Sequence, residues 1–237
     1  MLWPKRGHKI IGNDLILDIY GRNFGYLYVT TKSDFKSKIM VERDQYKLPY
    51  DIKGNGFYDL IPLNMGDGIY KVTLYRNVTG NKYRPIDSQW VAVKQYRPDA
   101  CFYIPNQYVN YSPSSEAVNV AKSLWKGNKR QYFEDVKEYI RLNYRYDFIK
   151  AIKRQAALPD IDKTIQTHLG ICQDLAALFV ALMRLRDIKS KLVIGYADKQ
   201  YHAWALTTID GKEILFDPTY AVNSIGRVKH YRNERIY

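Results

Sequence analysis

GICQDLAALFVALMRL, residues 170–185, opens on a glycine and continues with a helical pattern, and a cysteine stands at the join. Leu175, Leu178, Phe179, Leu182 and Leu185 recur at three- and four-residue spacing and form an apolar stripe. The spacing predicts a buried helix with Cys172 at or beside its first turn. A helix N-terminus presents unsatisfied N–H groups and the positive end of the helix dipole, and both stabilise an anion. The thiolate is the nucleophilic form of cysteine. The same N–H groups can stabilise an oxyanion on a bound carbonyl. A buried, inert thiol is the other reading of this position.

A catalytic thiol needs a base, and the base needs a group to orient it. YHAWALTTIDGKEILFDPTY, residues 201–220, reads as strand, Asp-Gly turn, strand. A turn centred on Asp210-Gly211 pairs Ile209 with Lys212 and sets Trp204 opposite Asp217. His202, two residues before Trp204, then shares a sheet face with Asp217. Phe216 falls on the other face, and Pro218 ends the strand. His168, in a loop, and His230, in the tail, are weaker candidates for the base. Thiol, imidazole and carboxylate in the order Cys172, His202, Asp217 are the constellation of a cysteine-nucleophile acyl transferase or amidase.

The rest of the chain limits the alternatives. Its 237 residues suffice for one large domain or two small ones. No apolar run approaches the roughly 20 residues of a membrane span. The start, MLWPKRGHKIIGND, lacks the apolar stretch of a secretory signal. The chain as it stands therefore reads as cytoplasmic, or as the mature form of an exported protein. The two cysteines make no CxxC pair, so neither a disulfide framework nor a structural zinc site is expected. The net charge of +13 favours acidic partners such as an anionic cell-envelope polymer. The basic residues are scattered, and no nucleic-acid motif accompanies them. The 22 tyrosines suit exposed strand surfaces or a binding groove.

Two domains are expected, 1–98 and 99–237. Stretches 14–20, 25–31, 38–43, 56–63, 68–77 and 88–96 alternate apolar and polar residues, and glycine-rich turns separate them. They predict a small β-sandwich. After Cys101 the period changes. Ser114 and Ser115 precede a helix carrying Val118, Ala121, Leu124 and Trp125, which Gly127 stops. A second helix carries Phe133, Val136 and Ile140. A third is expected from Asp147 to Ala157.

GICQDLAALFVALMR, followed by KLVIGYA, YHAWAL and ILFDPTY, resembles the bacterial transglutaminase-like family. LPDIDKTIQTHLG, PNQYVNY and the front stretches PLNMGDGIYKVTLY and NVTGNKY resemble its clostridial-type members with an N-terminal sandwich. The resemblance implies an α+β fold: a sandwich, then a papain-like domain whose cysteine helix packs on an antiparallel sheet. It implies a triad of Cys172, His202 and Asp217 acting on amide bonds of a protein or peptide through a thioester. Transamidation and hydrolysis share that intermediate, so both stay open. Tyr146 and Gln166, upstream of the thiol, are candidates to complete the oxyanion hole. Trp204 is a candidate to cover the thioester, or a core residue. Some relatives need calcium, but no acidic loop of ligand spacing occurs here, so no metal or cofactor is expected. The resemblance also favours a secreted or envelope location. A non-catalytic module that binds an envelope polymer is the competing reading.

Overall fold

The computed structural model describes residues 3–97, 99–153, 157–223, 228 and 230–237. The chain divides into two compact units, Pro4–Cys101 and Phe102–Tyr237, and the second takes in Trp3. The change of sequence pattern alone places the boundary at 98/99.

The front unit contains β1 (Lys9–Ile11), β2 (Leu15–Asp18), β3 (Tyr26–Thr31), β4 (Ser37–Arg43), β5 (Tyr46–Ile52), β6 (Asp59–Pro62), β7 (Gly68–Thr79) and β8 (Lys82–Val93). They form two four-stranded antiparallel sheets, ordered β1-β2-β3-β6 and β5-β4-β7-β8. Leu15, Leu17, Leu27 and Val29 of the first sheet and Ile39, Val41, Val72 and Leu74 of the second are fully buried. Each such side chain contributes roughly 1.5–3 kcal/mol. Strand β5 carries Pro49 within its span, and its pairing with β4 runs on through Met40 opposite Pro49 without a register shift. It lies at a sheet edge, where a missing N–H is tolerated. The tyrosines depart from expectation: Tyr26, Tyr50 and Tyr70 are core residues of this unit.

The second unit contains α1 (Glu116–Leu124), α2 (Lys129–Asn143), β9 (Arg145–Tyr146), α3 (Phe148–Lys153), α4 (Ile161–Thr167), β10 (Leu169–Gly170) and α5 (Cys172–Arg184). It continues with β11 (Ser190–Ala197), β12 (Gln200–Ile209), β13 (Lys212–Phe216), α6 (Pro218–Asn223) and β14 (Tyr231–Ile236). The main sheet is antiparallel, ordered β13-β12-β11-β14. The helix with the cysteine packs on β11 and β12, so the expected mixed fold is observed.

Several local readings need correction. Helix α5 is buried as expected, and on every side rather than along its leucine stripe alone, since every residue from Asp174 to Arg184 is buried. Helices α1, α2, α4 and α6 surround it opposite the sheet, and the alanines between its leucines let them approach. In α1 the buried residues are Ala117 and Ala121, whereas Val118, Leu124 and Trp125 are half-buried. Ser115 occupies the N-cap, yet its hydroxyl accepts from Ser112 N–H, and the Glu116 N–H donates to Asp162 from α4. Helix α3 begins one residue after the expected Asp147, and the expected end at Ala157 is separated from Lys153 by residues outside the described set. Among the described residues no helix is long and apolar enough to cross a membrane.

Candidate active site

The start of α5 is held by several independent contacts. Strands β9 and β10 pair in parallel, which sets Tyr146 beside Gly170. A Cβ on Gly170 would lie 3.0 Å from Asp174 Cβ and 3.3 Å from Leu175 Cδ2, so glycine permits the tight entry to the helix. The Asp174 carboxylate turns back to accept the Ile171 N–H at 3.0 Å, while Ile171 C=O accepts the Asp174 N–H. Lys150 of α3 donates to the same carboxylate oxygen at 2.6 Å. The other oxygen of Asp174 is buried and finds no hydrogen-bond partner among the described residues. Cys172 is the first residue of the helix and is half-buried.

The hairpin that follows has the register expected from its turn. Ile209 pairs with Lys212 and Ala205 with Phe216, without a bulge. Asp217 therefore emerges next to His202, and His202 Nε2 donates to Asp217 Oδ2 at 2.8 Å. The Cys172 thiol is near enough to the imidazole to act on its protonation. Because Asp217 occupies Nε2, Nδ1 is the ring nitrogen left for the thiol. Burial disfavours the imidazolium. Hydrogen bonds and charge from Asp217 and Cys172 outweigh that effect, and His202 is raised from 6.5 to about 9.

Asp217 is itself fixed on both oxygens. Oδ1 accepts the N–H groups of Thr219 at 3.0 Å and Tyr220 at 3.4 Å, in the turn that opens α6. Oδ2 accepts, besides His202, the phenol of Tyr231 on β14 at 3.0 Å. Tyr231 was missed in the sequence, where the polar run YRNERI offers no alternation to mark a strand.

The remaining candidates separate. Tyr146 is brought to the site: burial, then the neighbouring Cys172 and Asp174, raise its phenol above the ordinary range. Gln166 is not: it is exposed, and its amide donates to Glu116 at 3.0 Å. Trp204 is a core residue, fully buried, with its ring stacked 6.4 Å from that of His202. Its indole N–H finds no acceptor among the described residues. His168 bonds through Nδ1 to the Asn143 carbonyl, and the His230 N–H donates to Asp198. Among the described residues no group of three or more His, Cys, Asp or Glu side chains is placed to hold a metal ion.

Residues 116–218 match the family model of the transglutaminase-like superfamily, and that span includes Cys172, His202 and Asp217. No curated protein matches the chain by sequence. Among solved structures, a TGase is 17% identical with a TM-score of 0.38, covering 49% of this chain and 32% of its own. A candidate cysteine protease from Cytophaga hutchinsonii is 16% identical with a TM-score of 0.43, covering 92% and 70%. The periplasmic domain of TgpA from Pseudomonas aeruginosa is 13% identical with a TM-score of 0.42, covering 92% and 74%. The chain thus spans about a third of the TGase and about seven-tenths of the other two. Over residues 116–218 the chain is thus similar in sequence to the transglutaminase-like superfamily.

Proposed function

We propose that Cys172, His202 and Asp217 form the catalytic triad of a cysteine-nucleophile acyl-transfer enzyme acting on amide bonds of a protein or peptide. The observation that carries this reading is the hydrogen-bonded His202–Asp217 pair facing a half-exposed thiol at a helix start. His202 takes the thiol proton and Sγ attacks the amide carbon. The C–N bond then breaks, the imidazolium protonates the leaving amine, and a thioester remains. An incoming amine or water attacks the thioester, gives its proton to His202 and restores the thiol. Asp217 keeps Nε2 protonated, so Nδ1 is the working nitrogen. The Cys172 N–H supplies one oxyanion donor, and the Tyr146 phenol is assigned as the second. Trp204 forms a dry wall behind the imidazole. The net charge of +13 favours an acidic substrate or one carried on an anionic cell-envelope polymer. The front unit is assigned an accessory role in holding that substrate.

The test is mass spectrometry of the protein incubated with a glutamine-containing peptide, with and without a primary amine. An acyl adduct on Cys172 is expected, released as the amine conjugate by a transamidase or as the acid by a hydrolase. An adduct that persists in Cys172→Ala would overturn the assignment.

A further inference from the structure

We infer that Tyr231, at the start of the last strand, is a positioning residue of this site whose hydroxyl fixes Asp217 Oδ2 against His202. The inference rests on the acyl-transfer reading. The two oxygens of Asp217 are held differently. Oδ1 is fixed locally by the N–H groups two and three residues further along the chain. Oδ2 is held by side chains from distant strands, His202 at 2.8 Å and Tyr231 at 3.0 Å. The terminal torsion of an aspartate is broad and soft. A second donor on Oδ2 therefore confines the carboxylate to the rotation that serves the imidazole.

The backbone is shaped to deliver this phenol. Strand β14 pairs with β11, and the register shifts between Ile194 and Gly195. Gly195 pairs with His202 on its other side. A Cβ on Gly195 would collide with the Arg232 carbonyl and come within 3.0 Å of Trp204 Cη2, so only glycine admits β14 this closely. The Tyr231 ring then meets Trp204 edge-on at 4.9 Å, and Trp204 stacks on His202. Burial and the Asp217 charge push the phenol well above its ordinary range, so it stays protonated and donates.

Sharing Oδ2 has an electrostatic consequence. The phenol disperses part of the carboxylate charge that would otherwise act on His202 alone. The groups facing the imidazole are Cys172 from α5, Asp217, and Tyr220 from α6 with its ring 5.6 Å away. Asp198, in the turn between β11 and β12, acts on Tyr220 and Tyr231. Tyr231 is thus the neutral group that tempers the pair.

Tyr231→Phe keeps the ring on Trp204 and removes only the donor. The probe is iodoacetamide alkylation of Cys172 across pH, whose upper inflection marks loss of the His202 proton. In Tyr231→Phe that inflection should move to higher pH by about one unit, the scale of one hydrogen bond to a charged acceptor. The His202 imidazole, followed by NMR in Cys172→Ala with and without Tyr231→Phe, should shift the same way. An unmoved or lowered inflection in both measurements, or a fall in melting temperature with no change in titration, overturns the positioning role. If instead Cys172 is not the reactive thiol, or His202 titrates in the parent protein as an unperturbed histidine, the acyl-transfer reading itself fails, and with it the inference.

Discussion

Both units hold carboxylates fixed by hydrogen bonds, and they are used differently. In the front unit Asp18 accepts the N–H groups of Gly7, His8 and Tyr20. Asp87 accepts those of Asp14, Leu15 and Ser88. All of these donors are backbone amides, which do not titrate, so the carboxylates tie loops to strands. In the second unit Asp217 also takes two backbone amides, but its other oxygen faces an imidazole and a phenol. The cysteines divide in the same way. Cys101, closing the front unit, is 1% exposed, whereas Cys172 is half-buried beside His202. Burial of an acid or a thiol therefore does not mark a site. What sets Asp217 and Cys172 apart is that both act on one imidazole, His202.

The largest effect should come from the thiols. Iodoacetamide added to the folded protein should label Cys172 while Cys101 stays protected, and peptide mapping reads the outcome directly. Labelling of Cys101 at a comparable rate would erase the contrast between the units. Next in size is Asp217→Asn, which keeps a hydrogen bond but favours the wrong imidazole tautomer. In serine-protease triads the equivalent change costs about 10⁴-fold in rate, and a loss of that order is expected in thioester formation. The same variant tests the sign of the linkage. His202 is raised in the folded state, so its stabilising contribution is complete below 6.5 and is lost as pH rises through about 9. Asp217→Asn should flatten that alkaline decline in melting temperature. A decline of equal size in both proteins would show that the pair does not set it.

What the sequence disclosed, and what it concealed, follows from how local each feature is. The Asp-Gly turn is read from two adjacent residues, and counting outward from it gives the register that puts His202 beside Asp217. The glycine-cysteine helix start is equally local. Tyr231 was invisible because its role depends on a strand that pairs with β11 rather than with its sequence neighbours. Its exposed face is polar, as suits a sheet edge, and therefore carries no alternation. Helix α4 was missed although Asp160 caps it by accepting the Lys163 N–H at 3.0 Å, because its seven residues are too short to show a period. Gln166 was misplaced for that reason. Once α4 exists, the glutamine falls on its outer side facing Glu116.

The smallest expected effect is in the front unit, and it has the opposite sign in pH. Burial tends to raise Asp87, but N–H donors from Leu15, Asp14, Ser88 and Asn13 outweigh it and hold the carboxyl below the usual range. Its stabilising contribution is therefore present above the ordinary carboxylate range and is lost as pH falls through the lowered value. Asp87→Ala leaves the Asp14 and Leu15 N–H groups to water or to no partner. A cost of about 1 kcal/mol is expected, since the site is partly open to solvent. That corresponds to a drop of a few degrees in the melting of this unit by calorimetry, largest near neutrality and vanishing in acid. Alkylation of Cys172 should be unchanged, because the donors of Asp87 all belong to the front unit. If Asp87→Ala altered the pH profile of Cys172 alkylation, the two carboxylates would be coupled, and the division between a tying acid and a working acid would fail.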